Sequence, residues 1–158
     1  METPPRPQTA RSSRLTPSLA EEERSLLAGK ELEASQQAWE AAEVLVTQRL
    51  HREALTRASM ALFHAARGLL LREGYDVREP DDVLEVLSLR FAGAAQMPPE
   101  APAVLARALR YCELADLGVG WVVTPERVLA EMEVYEEHRT GLLAMLAARG
   151  VTPRSGGS

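Results

Sequence analysis

Three side chains able to handle phosphate or protons, Arg57, His64 and Arg67, fall within one stretch of eleven residues. The run Arg57-Ala-Ser-Met-Ala-Leu-Phe-His64-Ala-Ala-Arg67 has small and apolar residues on most sides of a single helix. A spacing of seven places Arg57 and His64 nearly on the same helical face, and Arg67 lies one turn beyond. One chemistry this permits is a cationic groove for phosphate. Arginine makes bidentate contacts there, and histidine gives or takes a proton near neutral pH. Arg49, Arg52 and Arg72 flank the groove. The other reading is an internal polar cluster, satisfied by glutamates from the first or the last helix, because buried cations are costly unless paired. The spacing alone leaves both open.

Other chemistries find little support. A di-metal site in a helical bundle needs Glu-x-x-His motifs. The residues three before His51, His64 and His138 are Gln48, Ala61 and Tyr135. Cys112 has no Cys or His close in sequence to complete a zinc site, so no metal and no cofactor are expected. Glycine-rich phosphate loops are missing, since Gly118-Val-Gly120 is too short for one. Cys112 on an apolar helical face reads as a core residue rather than a nucleophile. Glu131, Glu133, Glu136 and Glu137 read as a solvated face paired with Arg127, His138 and Arg139. Trp39 and Trp121 read as core or interface anchors, because seven aromatic residues supply a base-stacking surface poorly.

The elements that would carry these residues are helical. Alanine, leucine, glutamate and arginine dominate, and all favour helix. Only Val119 to Thr124 hints at a strand. Ser18-Leu-Ala-Glu21 has the pattern of a capping box, and Gly29 is placed to break the first helix. From Lys30 to Arg49, Leu32, Ser35, Trp39, Ala42 and Val46 fall at helical spacing. A turn near Leu50 to Arg52 leads into the long helix, whose stripe is Leu55, Ser59, Leu62, Ala66 and Leu69 and whose C-terminal glycine is Gly74. Pro80-Asp81-Asp82 opens the next helix, Pro102 to Leu114 forms another, and Thr124-Pro125-Glu126 caps the last, which Gly150 stops. The expected fold is therefore all-α, an antiparallel up-and-down bundle of four or five helices over residues 18–150. Residues 1–17 and 151–158 are expected to be loose tails.

At 158 residues the chain has the size of one domain. A formal charge of −5 argues against a general nucleic-acid coat, though not against a local basic stripe. One cysteine rules out an internal disulfide framework, and no apolar run is long enough to span a bilayer. The N-terminal stretch lacks the apolar core of a secretory signal, so a cytoplasmic location is expected.

From Lys30 to Leu146 the chain also resembles the HEPN domains, helical bundles found with minimal nucleotidyltransferases and among prokaryotic ribonuclease toxins. Thr56-Arg57-Ala58-Ser59-Met60-Ala61-Leu62-Phe63-His64-Ala65-Ala66-Arg67 is similar to that family's Ser-Arg-Ala-Tyr-Tyr-Ala-Met-Phe-His-Ala-Ala-Arg. Ser59 and Met60 stand where the family has two tyrosines. Arg110-Tyr-Cys-Glu-Leu-Ala-Asp116-Leu117-Gly118 resembles the later Arg-x-x-x-Asp-Tyr-Gly or Arg-x(4–6)-His element, with no histidine following Arg110 at that spacing. The resemblance implies a dimeric module in a toxin–antitoxin-type pair, binding nucleotide, RNA or protein, with a minimal nucleotidyltransferase as partner. Its alternative is a metal-independent ribonuclease in which Arg57 and Arg110 hold the phosphate, His64 moves the proton and Asp116 stands nearby. A third reading is a helical scaffold with no nucleic-acid role.

Overall fold

A computed structural model describes residues 15–91, 97–117 and 122–153. Five helices carry the chain: α1 (Glu21–Thr47), α2 (His51–Arg72), α3 (Pro80–Arg90), α4 (Ala101–Leu117) and α5 (Pro125–Ala148). The fold is an all-helical bundle, and no strand occurs among the described residues.

α2 is the axis of this bundle. Thirteen of its 22 residues are buried, including Ala54, Ala58, Ala61 and Ala65 on one side and Leu55, Leu62, Leu69 and Leu70 on others. A helix buried on nearly all sides is a core helix rather than one stave among equals. The other helices pack around it. Glu31 meets Arg67 while Ser35 meets Ala61, so α1 runs antiparallel to α2. Ser35 also holds Arg139, and Gly68 lies against Leu146. Position 61 thus sits level with 139 and 68 with 146, so α5 runs parallel to α2. α4 returns between them, with Cys112 beside Thr56 and Arg107 beside Glu131.

Helix boundaries follow local chemistry. Three helices end in Schellman motifs, in which the two amides after the last turn bond back to carbonyls of that turn. At Gly74 (φ 95°) the bonds are Gly74 N to Leu71 O at 3.0 Å and Tyr75 N to Leu70 O at 2.9 Å. At Gly150 (φ 82°) they run to Ala147 and Leu146. The third motif, after α1, uses Arg49 at φ 60°, with Leu50 N to Leu45 O at 2.9 Å. A side chain in the left-handed region costs about 1 kcal/mol relative to glycine. Arg49→Gly is therefore expected to raise stability by about 1 kcal/mol, read as a shifted midpoint in urea unfolding.

Thr124 caps α5 as its sequence indicates, accepting from Arg127 N at 3.2 Å, and Pro80 opens α3. Two expectations change. α1 continues through Gly29, because its buried row of Ala28, Leu32, Ser35 and Trp39 outweighs the roughly 1 kcal/mol cost of one interior glycine. Its N-cap is Ala20 without a side-chain cap, so the Ser18–Glu21 box does not form. Instead the amides of Ser18 and Leu19 both donate to Gly74 O, which pins the chain before α1 to the end of α2. Leu15 packs against the core and Val151 is buried in it, so core contacts reach beyond residues 18 and 150. No helix among the described residues is long and apolar enough to cross a membrane.

Candidate functional site

Glu31 is the residue that organises the sequence-selected cluster. Its carboxylate is buried at the α1–α2 contact and receives two donors from α2. His64 Nδ1 lies 2.7 Å from Oε2, and the Arg67 guanidinium pairs with Oε1. Arg67 Nε also donates to Val77 O at 2.9 Å, holding the segment between α2 and α3. His64 and Arg67 are thus brought together, but by an internal carboxylate.

Glu31 is the first rung of a ladder along α1 at four-residue spacing. Ser35 donates to Ala61 O at 2.7 Å and accepts from Arg139 Nε at 2.9 Å. The Arg139 guanidinium lies 5.4 Å from the centre of the Trp39 ring, within cation–π range. Trp39 Nε1 donates to Glu43 at 3.0 Å. Arg139 is buried, and burial lowers its pKa from the ordinary arginine value against the opposing pull of Glu136, Glu43 and Glu40.

The remaining candidates lie elsewhere. Arg57 is exposed on α2, two turns or about 10 Å of helix rise from His64. Arg110 is exposed and lines a shallow depression between α3 and α4 with Pro80, Asp81 and Leu84. Cys112, 200° around α4 from Arg110, faces α2 and donates weakly to Thr56 O. Arg110 therefore points away from the α2 helix that carries His64. Asp116 is in the last turn of α4, but its side chain, Gly118 and Trp121 lie outside the described residues. A partly open, mostly apolar pocket of about 70 Å³ sits between α2, α3, α4 and α5, lined by Leu62, Leu87, Leu105, Leu142 and Met145 with Glu137 and His138. Arg57, His64, Arg67 and Arg110 do not line it. Among the described residues no group of three or more His, Cys, Asp or Glu side chains could hold a metal ion.

A second polar cluster lies where α2, α4 and α5 meet. Glu131 is buried rather than solvated, with Arg107 Nε at 2.9 Å and Arg127 at 3.6 Å. The expectation of a solvated acidic face holds for Glu133, Glu136 and Glu137 and fails for Glu131, whose position on α5 turns it toward α4. Within the same core the hydroxyls of Ser59 and Tyr135 are buried, and neither has a partner at full hydrogen-bond geometry among the described residues, although Tyr135 lies close enough to Ser59 and Glu131 to feel both. Burial, then the neighbouring Glu131 charge, pushes the Tyr135 pKa well above its ordinary value of 10.0. A phenol whose folded pKa is raised adds stability that is complete below the unfolded value and is lost as pH rises above it. Stability should therefore fall more between about pH 8 and about pH 11 in the native chain than in Tyr135→Phe, as measured by urea unfolding at the two pH values.

Sequence reasoning missed Glu31 and the Glu131–Arg107 pair, and it placed on the solvated face of the last helix an arginine, Arg139, that is buried on Ser35 and Trp39. A signal for Glu31 was present, since it stands four residues before Ser35 in the row that includes Trp39. Nothing local marks Arg107 or Glu131 as partners, because they are 24 residues apart on different helices. Compared with family models, curated proteins and solved structures, the chain matches none.

Proposed function

We propose that this chain is a non-catalytic helical binding module whose partner is another protein, a minimal nucleotidyltransferase by the HEPN resemblance. The observation that carries this reading is the double engagement of Glu31. His64 and Arg67, the residues best suited to phosphate chemistry, are both tied to an internal carboxylate. A phosphate site needs cations free to reach the ligand. Arg110, the second arginine of the ribonuclease reading, faces α3 instead. The small residues of α2 are buried in the chain's own core, so a homodimer would use other faces.

The ribonuclease reading keeps one supporting feature. Glu31 binds His64 through Nδ1, and a carboxylate-oriented imidazole is the arrangement of many general bases. Incubating purified protein with end-labelled RNA in chelator separates the two. The binding-module reading expects cleavage no greater than that of His64→Ala. Chelator-resistant cleavage that disappears in both His64→Ala and Arg110→Ala overturns it.

A further inference from the structure

The face of the molecule between α1 and α5 carries a shallow groove with a volume of about 300 Å³. Its floor is Trp39, Val46 and Met132, and Leu129 stands at its edge 49% exposed. Its rim is Glu43, Glu133 and Glu136. Glu133 and Glu136 are exposed and form no ion pair among the described residues, while Glu43 is held by the Trp39 indole. The cation beneath, Arg139, is turned inward onto Ser35 and Trp39 and forms no direct ion pair among the described residues, although its charge is felt by Glu136 and Glu43. Three carboxylates against one inward-turned cation leave the rim net negative above an apolar floor.

We propose that this groove docks a basic amphipathic helix of a partner protein, an inference that rests on the binding-module reading and specifies its partner surface. Helix-in-groove recognition seats apolar side chains at i, i+3, i+4 and i+7 on such a floor, and flanking lysines or arginines meet the acidic rim. Charge decides between occupants. A second copy of this chain, with a formal charge of −5, would bring further negative charge to the rim. The chain's own residues 1–14 carry Arg6, Arg11 and Arg14, but their apolar side chains are Met1, Ala10 and the prolines Pro4, Pro5 and Pro7, which do not supply the i, i+3, i+4, i+7 apolar row of a helix.

The test uses the full chain and two fluorescein-labelled helical peptides of about five turns. Both have leucine at i, i+3, i+4 and i+7; one has lysine at the flanking positions and the other glutamate. Anisotropy should show the lysine peptide binding about tenfold more tightly. Leu129→Ser should weaken it about tenfold, and Glu133→Gln with Glu136→Gln should remove most of its salt dependence. The charge-matched Glu22→Gln with Glu23→Gln, at the other end of α1, should leave binding unchanged. Equal binding of the lysine peptide to the native chain and to Leu129→Ser overturns the proposal. So does a dimer in light scattering that Leu129→Ser dissociates, because the occupant would then be a second copy. Failure of the groove with RNA left intact removes only this inference, whereas His64-dependent RNA cleavage removes the binding-module reading itself.

Discussion

Glu31→Ala should lower the melting temperature by about 5–10 °C, the largest effect expected of any single polar substitution in this chain. The argument begins with what is left behind. Glu31 is 8% exposed and accepts from His64 and Arg67, whose side chains are about a quarter exposed. Removing the carboxylate leaves two donor groups facing a tight contact between α1 and α2. Gly68 leaves room for that contact, since an added Cβ there would lie 3.2 Å from Glu31 Cβ. Breaking a buried pair in this way costs about 3–5 kcal/mol, and the partial exposure of the partners reduces it to about 2–3 kcal/mol. For a chain of this size each kcal/mol moves the melting temperature by about 2–4 °C. Circular dichroism melts provide the value. The double variant Glu31→Ala with His64→Ala should lose less than the sum of the single losses, because one interaction is being removed twice. A loss in Glu31→Ala below about 1 °C would show that the cluster is fully hydrated and not part of the core.

Leu69→Ala should cost about 2–5 kcal/mol, the range for removing a large aliphatic side chain from a packed interior. Leu69 has 0% exposure and sits on the helix that every other helix packs against, next to Gly68 at the α1 and α5 contacts. Neighbours on all sides are held by their own helices, so the space left by three lost carbons collapses poorly, which favours the upper part of that range. Chemical denaturation gives the number, with Leu129→Ala at the half-exposed edge of the α1–α5 groove as the comparison. That surface change should stay within about 0.5 kcal/mol. Similar losses at the two positions would mean that α2 is not the centre of the fold.

Much of the fold was legible because it rests on periodicity and end signals. The stripe Leu55, Ser59, Leu62, Ala66 and Leu69 is buried in full, and Gly74, Pro80, Thr124 and Gly150 mark helix ends as their chemistry requires. Gly29 and Ser18 misled for a physical reason. A local breaker or cap is worth about 1 kcal/mol, and burial of α1's inner row outweighs it. The candidate site was legible only in part. His64 and Arg67 were identified by type and spacing, with the possibility of a glutamate partner on the first helix, but which of the two roles they fill depends on what faces them.

By itself, then, the sequence determined the helical class, most helix boundaries and the buried stripe of α2, because these depend on residues within a few turns of one another. The tertiary structure alone decided that Glu31 engages both His64 and Arg67, that Arg110 faces α3, that Glu131 is buried against Arg107, and that an acidic apolar groove lies between α1 and α5. Each of these depends on how helices distant in sequence are rotated and spaced. That is set by the packing of the whole core around α2 and not by any local pattern.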